Sequence, residues 1–242
     1  DITRYGMDWD GKPHLADLLE ELCKLDFHWI RLHYLYPEWI DDRLIDVIAR
    51  EDKILKYLDI PLQHCNDKIL KKMNRRGDKK YLCALLDKLR ERIPGLVLRT
   101  SIIAGLPGEG EEEFDELCDF LREQKLLRAG VFPYSPEEGT RAAKMERVDS
   151  DEAARRAERI VDIQSEIIDA WNDERQDDVM EVLCEGFDGQ SMLFVGRSYA
   201  ESPDIDGRIY FSAPRDVAAG EFVPVRITGA MDGELTGELA EE

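Results

Sequence analysis

The first 145 residues alternate between short apolar runs and longer amphipathic segments, and this alternation restricts the fold more than any other feature. Apolar residues recur at the spacing of one helix face from Leu15 to Cys23, and similar stripes cover residues 41–50, 78–92 and 114–121. Four runs between them have strand character: residues 28–37, 57–63, 96–105 and 129–136. Strands separated by helices of this length predict βα units and a parallel sheet.

Four βα units make half of an eight-stranded barrel, and a doubly wound sheet is the main alternative. Arg99 and Ser101 share one face of their strand, and Arg31 and His33 share one face of theirs. A parallel strand covered on both faces is almost wholly apolar, so these residues predict a concave inner surface lined for a ligand. Such a partial barrel binds its ligand at the carboxyl ends of the strands.

The pattern changes after residue 148. Residues 149–175 predict one long connecting helix, and five short strands broken by Gly, Pro, Asp and Ser follow it. These strands predict a small closed, five-stranded antiparallel β-barrel over residues 176–242. The predicted fold class is α/β, with a partial parallel (β/α) barrel over residues 1–148 and the small barrel at the C-terminal end.

The chain carries a formal charge of −20, and residues 176–242 contribute −11 of it, with four arginines against fifteen acidic residues. Proteins that bind a phosphate backbone cluster Lys and Arg, so this acidity disfavours nucleic acid and is typical either of a protein with a basic partner or simply of a very soluble one. The basic stretches 71–80 and 155–159 are predicted to be solvated faces. No run approaches the roughly 20 apolar residues of a membrane span, so no membrane association is expected.

The five cysteines are widely spaced and form neither a CxxC motif nor a cluster with histidine. A reducing cytoplasm is therefore the expected compartment, and no metal site is predicted from spacing. The histidines also lack ligand spacing, and no nucleophile–base pair indicates a hydrolase. The chain begins at Asp1 without a methionine, which indicates a piece of a longer protein.

The stretch RTSIIAGLPGEGEEEF, residues 99–114, combines a strand, a glycine-rich turn and the start of a helix. It lacks a Lys after the glycines and does not match GxGxxG, so neither phosphate-binding motif is present. We expect the glycines to adopt positive φ values, and the glutamates from Glu109 to Glu113 to start the helix and stabilise its dipole.

Blocks of the chain resemble, in order, those of the radical-SAM methylthiotransferases: DITRYG (1–6), IRLHYLYP (30–37), YLDIPLQH (57–64), RTSIIAGLPGE (99–109) and YSPEEGT (134–140). In the second barrel, ESPDIDGRIYF (201–211) is similar to the TRAM domain of the RimO-type branch of that family. The resemblance covers nearly the whole chain. It implies a transferase that converts an aspartate of ribosomal protein S-twelve to 3-methylthioaspartate.

The resemblance implies S-adenosylmethionine (SAM) and two [4Fe–4S] clusters as the family's cofactors. It places SAM contacts at five residues: Arg31, Gln63, Arg99, Ser101 and Gly105. For Arg99 the alternative is an ion pair with an internal carboxylate such as Asp59. No catalytic residue is assigned.

The chain departs from the family at the cluster ligands. The CxxxCxxC signature is absent, and so is the N-terminal domain with its three cysteines, so the cysteine ligands of both clusters are missing and the isolated chain is expected to be inactive. Gly110 stands where the family usually has Thr, which removes a side-chain N-cap.

Two other functions stay open from the sequence. A MiaB-type enzyme would modify tRNA, and a non-catalytic docking module would modify nothing. The charge of −11 disfavours RNA, so the expected partner is the basic ribosomal protein S-twelve or the small ribosomal subunit, bound through the acidic TRAM domain, with no direct tRNA binding.

Overall fold

The computed structural model describes residues 1–240. The chain forms two compact units that divide after Gln164, and the helix Ser150–Asp173 runs across the division. The predicted domain boundaries at residues 148 and 176 stay predictions. Residues 241 and 242 of the predicted second barrel lie outside the described residues.

The first unit alternates strands and helices as predicted. Its strands are β1 (Ile30–Leu32), β2 (Ile54–Asp59), β3 (Val97–Ala104) and β4 (Arg128–Pro133). The helices are α1 (Met7–Asp10), α2 (Leu15–Cys23), α3 (Asp42–Arg50), α4 (Asp67–Lys72), α5 (Lys79–Arg92), α6 (Glu111–Gln124) and the first part of α7 (Ser150–Asp173). Short 3-10 helices lie at Ile2–Arg4, Pro37–Trp39 and Ala142–Lys144.

The four strands form one parallel sheet in the order β1-β2-β3-β4, so each strand lies beside its neighbour in the sequence. A doubly wound sheet reverses its order at a switch point, whereas a barrel adds each strand on the same side. The order therefore agrees with the partial barrel. On β3, Leu98, Thr100 and Ile102 are buried on one side, while Arg99 and Ser101 lie half-buried on the other, which we call the inner face.

β2 spans residues 54–59 and not the predicted 57–63. Pro61 has no N–H to donate to a sheet, and Gln63 has a φ of 67°, in the left-handed region that strands do not use. Gln63 meets the sheet again only in an isolated bridge with Ile102. The chain after β2 is therefore a loop that lies beside the carboxyl end of β3.

Acidic side chains begin three of the helices, and Asp149 does so for α7 by accepting a hydrogen bond from Glu152 N at 2.8 Å. Asp41 accepts a hydrogen bond from Leu44 N at 2.8 Å before α3, and Asp78 accepts one from Tyr81 N at 2.8 Å before α5. Each such cap contributes about 1 kcal/mol. α6 has no side-chain cap because Gly110 occupies the N-cap, as the sequence predicts.

The second unit contains the end of α7 and five strands: β5 (Val179–Asp188), β6 (Leu193–Arg197), β7 (Ile209–Ser212), β8 (Phe222–Met231) and β9 (Glu234–Leu239). They close into a barrel in the order β5-β6-β7-β9-β8 around a core that includes Val182, Phe211, Val223 and Ile227. The prediction of a purely antiparallel barrel is wrong, because β7 and β9 run parallel. No helix within residues 1–240 is long and apolar enough to cross a membrane.

Gly237 of β9 gives a test of the barrel's close strand packing. A Cβ added there would lie 2.5 Å from Arg226 O and 2.7 Å from Val225 Cγ1, so Gly237→Ala forces two strands apart. We expect the free energy of unfolding of the second unit to fall by about 2 kcal/mol, as measured by chemical denaturation. Gly189→Ala is the matched control, since a Cβ at Gly189 meets no atom within 4 Å. Equal stability of the two variants would contradict the strand spacing.

Candidate functional site

Three charged residues form a row across the inner face of the sheet. Asp59 of β2, Arg99 of β3 and Arg128 of β4 are register partners on adjacent parallel strands, so their side chains leave the sheet on the same side. Arg99 Nη1 donates a hydrogen bond to Asp59 Oδ1 at 2.7 Å, and the two side chains are 13% and 2% exposed. The ion pair with Asp59, the alternative to a SAM contact that the sequence left open for Arg99, is thus present.

Two further groups hold the Asp59 carboxylate. Its Oδ2 accepts a hydrogen bond from Tyr34 N at 3.2 Å and lies 3.8 Å from His33 Nδ1. Burying a carboxylate costs several kcal/mol unless partners compensate for the lost water. With both oxygens in contact with partners, Asp59 fixes the guanidinium of Arg99 on the inner face.

Arg31 of β1 joins the same face through an aromatic ring. Its guanidinium carbon lies 4.3 Å from the centroid of the Tyr57 ring, and the His33 ring meets that ring edge-on at 6.0 Å. Tyr57 is fully buried and shares its side of β2 with Asp59. A cation–π contact contributes about 0.5–2 kcal/mol, so Tyr57 holds Arg31 over the inner face.

Ser101 lies two residues beyond Arg99 toward the carboxyl end of β3. Its register partner on β4 is Gly130, where an added Cβ would lie 3.4 Å from Arg99 Nη2 and from the Phe132 ring. The backbone at Gly130 therefore lies directly beside the Arg99 guanidinium. Phe132 is 54% exposed, so polar and aromatic groups meet at this end of the inner face.

Two residues after the strands adopt the left-handed conformation without being glycine. Tyr34 follows β1 with a φ of 62°, and Gln63 follows β2 with a φ of 67°. Gln63 is held by hydrogen bonds from its N to Ser101 O at 2.8 Å and from Arg75 Nε to its Oε1 at 3.0 Å. Such strain costs about 1–3 kcal/mol and concentrates at binding sites. Both residues lie at the carboxyl edge of the sheet, where barrel ligands bind.

Gly105 follows β3 directly and begins the turn toward α6. Its φ is 81°, as predicted, and an added Cβ would lie 2.6 Å from Ala153 Cβ, so neither conformation nor space admits a side chain. The side without a Cβ thus faces helix α7. Gly105 N donates to Glu109 Oε1 at 2.9 Å, which ties the start of the turn to its end.

Glu109 is the buried centre of this turn. Its side chain is fully buried, 2.8 Å from Arg156 Nη1 and 3.2 Å from His64 Nε2. The His64 Nε2 and Glu109 Oε2 atoms approach each other without good hydrogen-bond angles. His64 Nδ1 accepts a hydrogen bond from Asn66 N at 3.0 Å, so the ring proton lies on Nε2 and faces Glu109. Burial acts to raise the pKa of Glu109, but the nearby His64 ring and the hydrogen bonds from Arg156 and Gly105 outweigh it, and the pKa is lowered.

Arg156 of α7 completes the network from the other side. Its Nη1 also donates to Glu109 O at 3.2 Å and to Gly110 O at 3.3 Å, and its Nε donates to Glu152 Oε1 at 2.8 Å. Only 6% of its side chain is exposed, and its guanidinium carbon lies 5.0 Å from the Phe114 ring centroid. The guanidinium thus binds the turn through both side-chain and backbone oxygens.

Two sequence predictions are wrong at this network. The sequence assigns Glu109 to the start of a helix, and it assigns residues 155–159 to a solvated face. Glu109 is instead buried below the turn while Glu111 begins α6, and Arg156 is buried while Arg155 and Arg159 of the same stretch are exposed.

Residues 1–240 do not fit an iron–sulfur cluster. No three His, Cys, Asp or Glu residues in this part of the chain converge on a point that could hold a metal ion. The five cysteines are free thiols, and Cys65, Cys118 and Cys184 are buried. Burial raises the pKa of the Cys65 thiol, whereas a metal ligand must be a thiolate.

The two units match two family models. The radical SAM superfamily matches residues 5–121, and the TRAM domain matches residues 178–240. The chain is 46% identical over 245 residues to the ribosomal protein uS12 methylthiotransferase RimO of Symbiobacterium thermophilum, covering 100% of this chain and 50% of the relative. It is 47% identical to the protein of the same name from Pelotomaculum thermopropionicum, covering 98% and 54%. The chain spans about half the length of these relatives.

A solved structure agrees with this fold. Coproporphyrinogen III oxidase (HemN) from Escherichia coli, described as a radical SAM enzyme, has a TM-score of 0.53 with 90% of this chain and 52% of that chain covered. The sequence identity is 14%, so this likeness concerns the fold alone.

Glu109→Gln tests the buried network. The variant keeps the size of the side chain and removes the charge that Arg156 faces, so we expect the free energy of unfolding of the first unit to fall by about 3 kcal/mol at neutral pH. The pKa of Glu109 is lowered from 4.5 on folding, so its charge stabilises the fold above about pH 4.5, and this contribution is lost as the pH falls through the lowered value. The difference between the two proteins should therefore shrink in acid.

The measurement is chemical denaturation at several values between about pH 3 and pH 7, with Glu112→Gln as the matched control. Glu112 is an exposed acid in the first turn of α6, so its variant should lose no more than about 0.5 kcal/mol. A loss that does not change with pH, or an equal loss in the control, would contradict a buried ion pair at Glu109.

Proposed function

Because the chain belongs to the radical-SAM methylthiotransferases of the RimO type, we propose that it acts in the conversion of an aspartate of ribosomal protein uS12 to 3-methylthioaspartate. In this reaction a methylthio group replaces a hydrogen on the β-carbon of the aspartate. The observation that carries the proposal is the charged inner face, with Asp59, Arg99 and Arg128 in one row and Arg31 beside it.

The residues of the inner face fit SAM by their chemistry. SAM, when bound, supplies the methyl group and the precursor of the radical. Its methionyl end carries a carboxylate, which the guanidinium groups of Arg31 and Arg99 are suited to bind. The Ser101 hydroxyl and the backbone at Gln63 and Gly105 offer polar contacts near the same edge of the sheet. These five residues are the proposed SAM contacts.

No step through an iron–sulfur cluster is assigned to this chain, since residues 1–240 offer no ligand set for one. The chain's own contribution is to bind and orient. Asp59 fixes Arg99, Tyr57 holds Arg31, and Glu109 sets the turn that begins at Gly105. Each of these contacts is made before any ligand arrives, so the site is preorganised.

The acidic second barrel is proposed to recruit the protein substrate. A net charge of −11 over residues 176–242 attracts a basic ribosomal protein, either free or in the small subunit, and repels the phosphates of tRNA. This charge supports uS12 over the tRNA substrate of a MiaB-type enzyme. The proposed place of action is the cytoplasm, where ribosomes are assembled.

Deletion of the gene that encodes the chain tests the proposed reaction. We expect uS12 from the deletion strain to lack the mass of one methylthio group, and the intact gene to restore it, as measured by mass spectrometry of ribosomal proteins. A gene with Arg99→Lys should restore the modification about tenfold more slowly, because lysine keeps the charge beside Asp59 but lacks the planar fork that binds a carboxylate.

Arg122→Lys, on the exposed face of α6, is the control and should restore the modification fully. Loss of a tRNA modification in the deletion strain, with uS12 unchanged, would overturn the proposal in favour of the tRNA enzyme. Unchanged uS12 and unchanged tRNA would favour the docking module.

The isolated chain should not cleave SAM. After treatment with iron and sulfide under reducing conditions, we expect no release of 5′-deoxyadenosine, because residues 1–240 hold no cluster ligand set. A full-length relative treated in parallel is the positive control. Chromatographic detection of 5′-deoxyadenosine from the isolated chain would contradict the conclusion that these residues hold no cluster ligand set.

A further inference from the structure

The hairpin of β5 and β6 presents apolar side chains at the surface of the second barrel. Phe187, near the end of β5, is 53% exposed, and Met192, in the turn, is 69% exposed. Asp188 holds the turn by accepting hydrogen bonds from Ser191 N at 3.0 Å and from Ser191 Oγ at 2.6 Å. We call Phe187, Met192 and Phe194 the hairpin platform.

A β-bulge in β5 places Phe187 on the same side of the hairpin as Phe194. Met180, Val182 and Cys184 alternate into the core, and this alternation would place Phe187 on the outer side. The register with β6 slips between Cys184 and Gly186, so Phe187 is instead opposite Phe194. Bulges commonly re-aim a side chain in this way next to functional sites.

Phe194 connects the exposed ring to the core. The Phe187 and Phe194 rings meet edge-on at 5.2 Å, and Phe194 stacks at 5.6 Å on Phe211, which is fully buried. Each of these contacts is between register partners on neighbouring strands. Phe187 is therefore an exposed ring held by aromatic contacts that continue into the core, so little side-chain freedom is lost when a partner covers it.

We propose that the hairpin platform is the docking point for the basic ribosomal protein that the second barrel recruits. This inference rests on the proposed function. The charge of −11 draws a basic partner over long distances, and the platform supplies the short-range apolar contact that a charged surface lacks. Anchors of this kind, an aromatic and a flexible methionine beside polar groups, carry most of the affinity at protein interfaces.

RNA is the other ligand that stacks on exposed aromatic rings. Barrels that bind single strands combine such rings with a positively charged groove that follows the phosphates. This barrel has four arginines against fifteen acids, so its charge favours the protein.

Binding of purified uS12 to the full chain tests the platform. We expect the intact chain to bind, with affinity that falls as salt rises, and Phe187→Ser combined with Met192→Ser to weaken binding at least about tenfold. Met231→Ser is the matched control for Met192→Ser, since Met231 is 62% exposed at the end of β8 in the same barrel. It should change the affinity by less than about twofold.

Hydrogen exchange on the unmutated chain gives a second measurement that does not depend on the folding of a variant. Addition of uS12 should slow exchange over residues 185–195 more than at the turn around Met231.

Equal binding by the platform variant and the Met231 control, or no protection of the hairpin, would overturn the docking point while leaving uS12 as substrate. If the intact chain bound an RNA oligonucleotide and the platform variant did not, the platform would be assigned to RNA. If the intact chain self-associated and the variant did not, it would be assigned to a second copy of the chain. Either result would overturn the docking proposal. Absence of any uS12 binding by the intact chain would overturn the partner itself.

Discussion

The buried carboxylate of Glu109 is the contact on which the carboxyl edge of the first sheet depends. It binds Gly105 N at the end of β3, faces His64 in the loop after β2, and pairs with Arg156 of α7. A buried ion pair adds little net stability compared with a well-packed apolar core, but removal of one partner is costly. We infer that its value here is geometric, because it allows only one path for the turn that leaves β3.

The two buried acids of the first unit have different surroundings and different uses. Glu109 is enclosed by backbone, histidine and arginine, and it orders a turn. Asp59 faces the inner surface with Arg99, whose guanidinium remains partly exposed. An arginine has five N–H donors, so the ion pair with Asp59 and a contact with a ligand carboxylate are compatible. The pairing therefore positions Arg99 for the proposed SAM contact and does not compete with it.

The sequence predicts features that depend on local periodicity, and it misses those that depend on long-range pairing. The helix stripes and the shared face of Arg99 and Ser101 follow from residues a few positions apart. Glu109 and Arg156 are 47 residues apart, and in sequence each lies among charged neighbours that are in fact exposed. The end of β2 was predictable in part, since Pro61 cannot donate to a sheet. The left-handed Gln63 was not, because its contacts come from Ser101 and Arg75.

The parallel pair in the second barrel follows from counting alone. Around a closed ring, antiparallel neighbours require strand directions to alternate, and an odd number of strands cannot alternate without one exception. β5 to β9 alternate in direction along the chain, and the ring closes by placing β9 beside β7, which runs the same way. The same kind of counting explains where Phe187 lies in the hairpin. Side chains alternate between the two sides of a strand, so one extra residue in β5 moves Phe187 to the opposite side. An odd number of strands thus produces the barrel's parallel pair, and one extra residue in β5 produces the exposed position of Phe187. In both cases one additional unit interrupts a regular alternation.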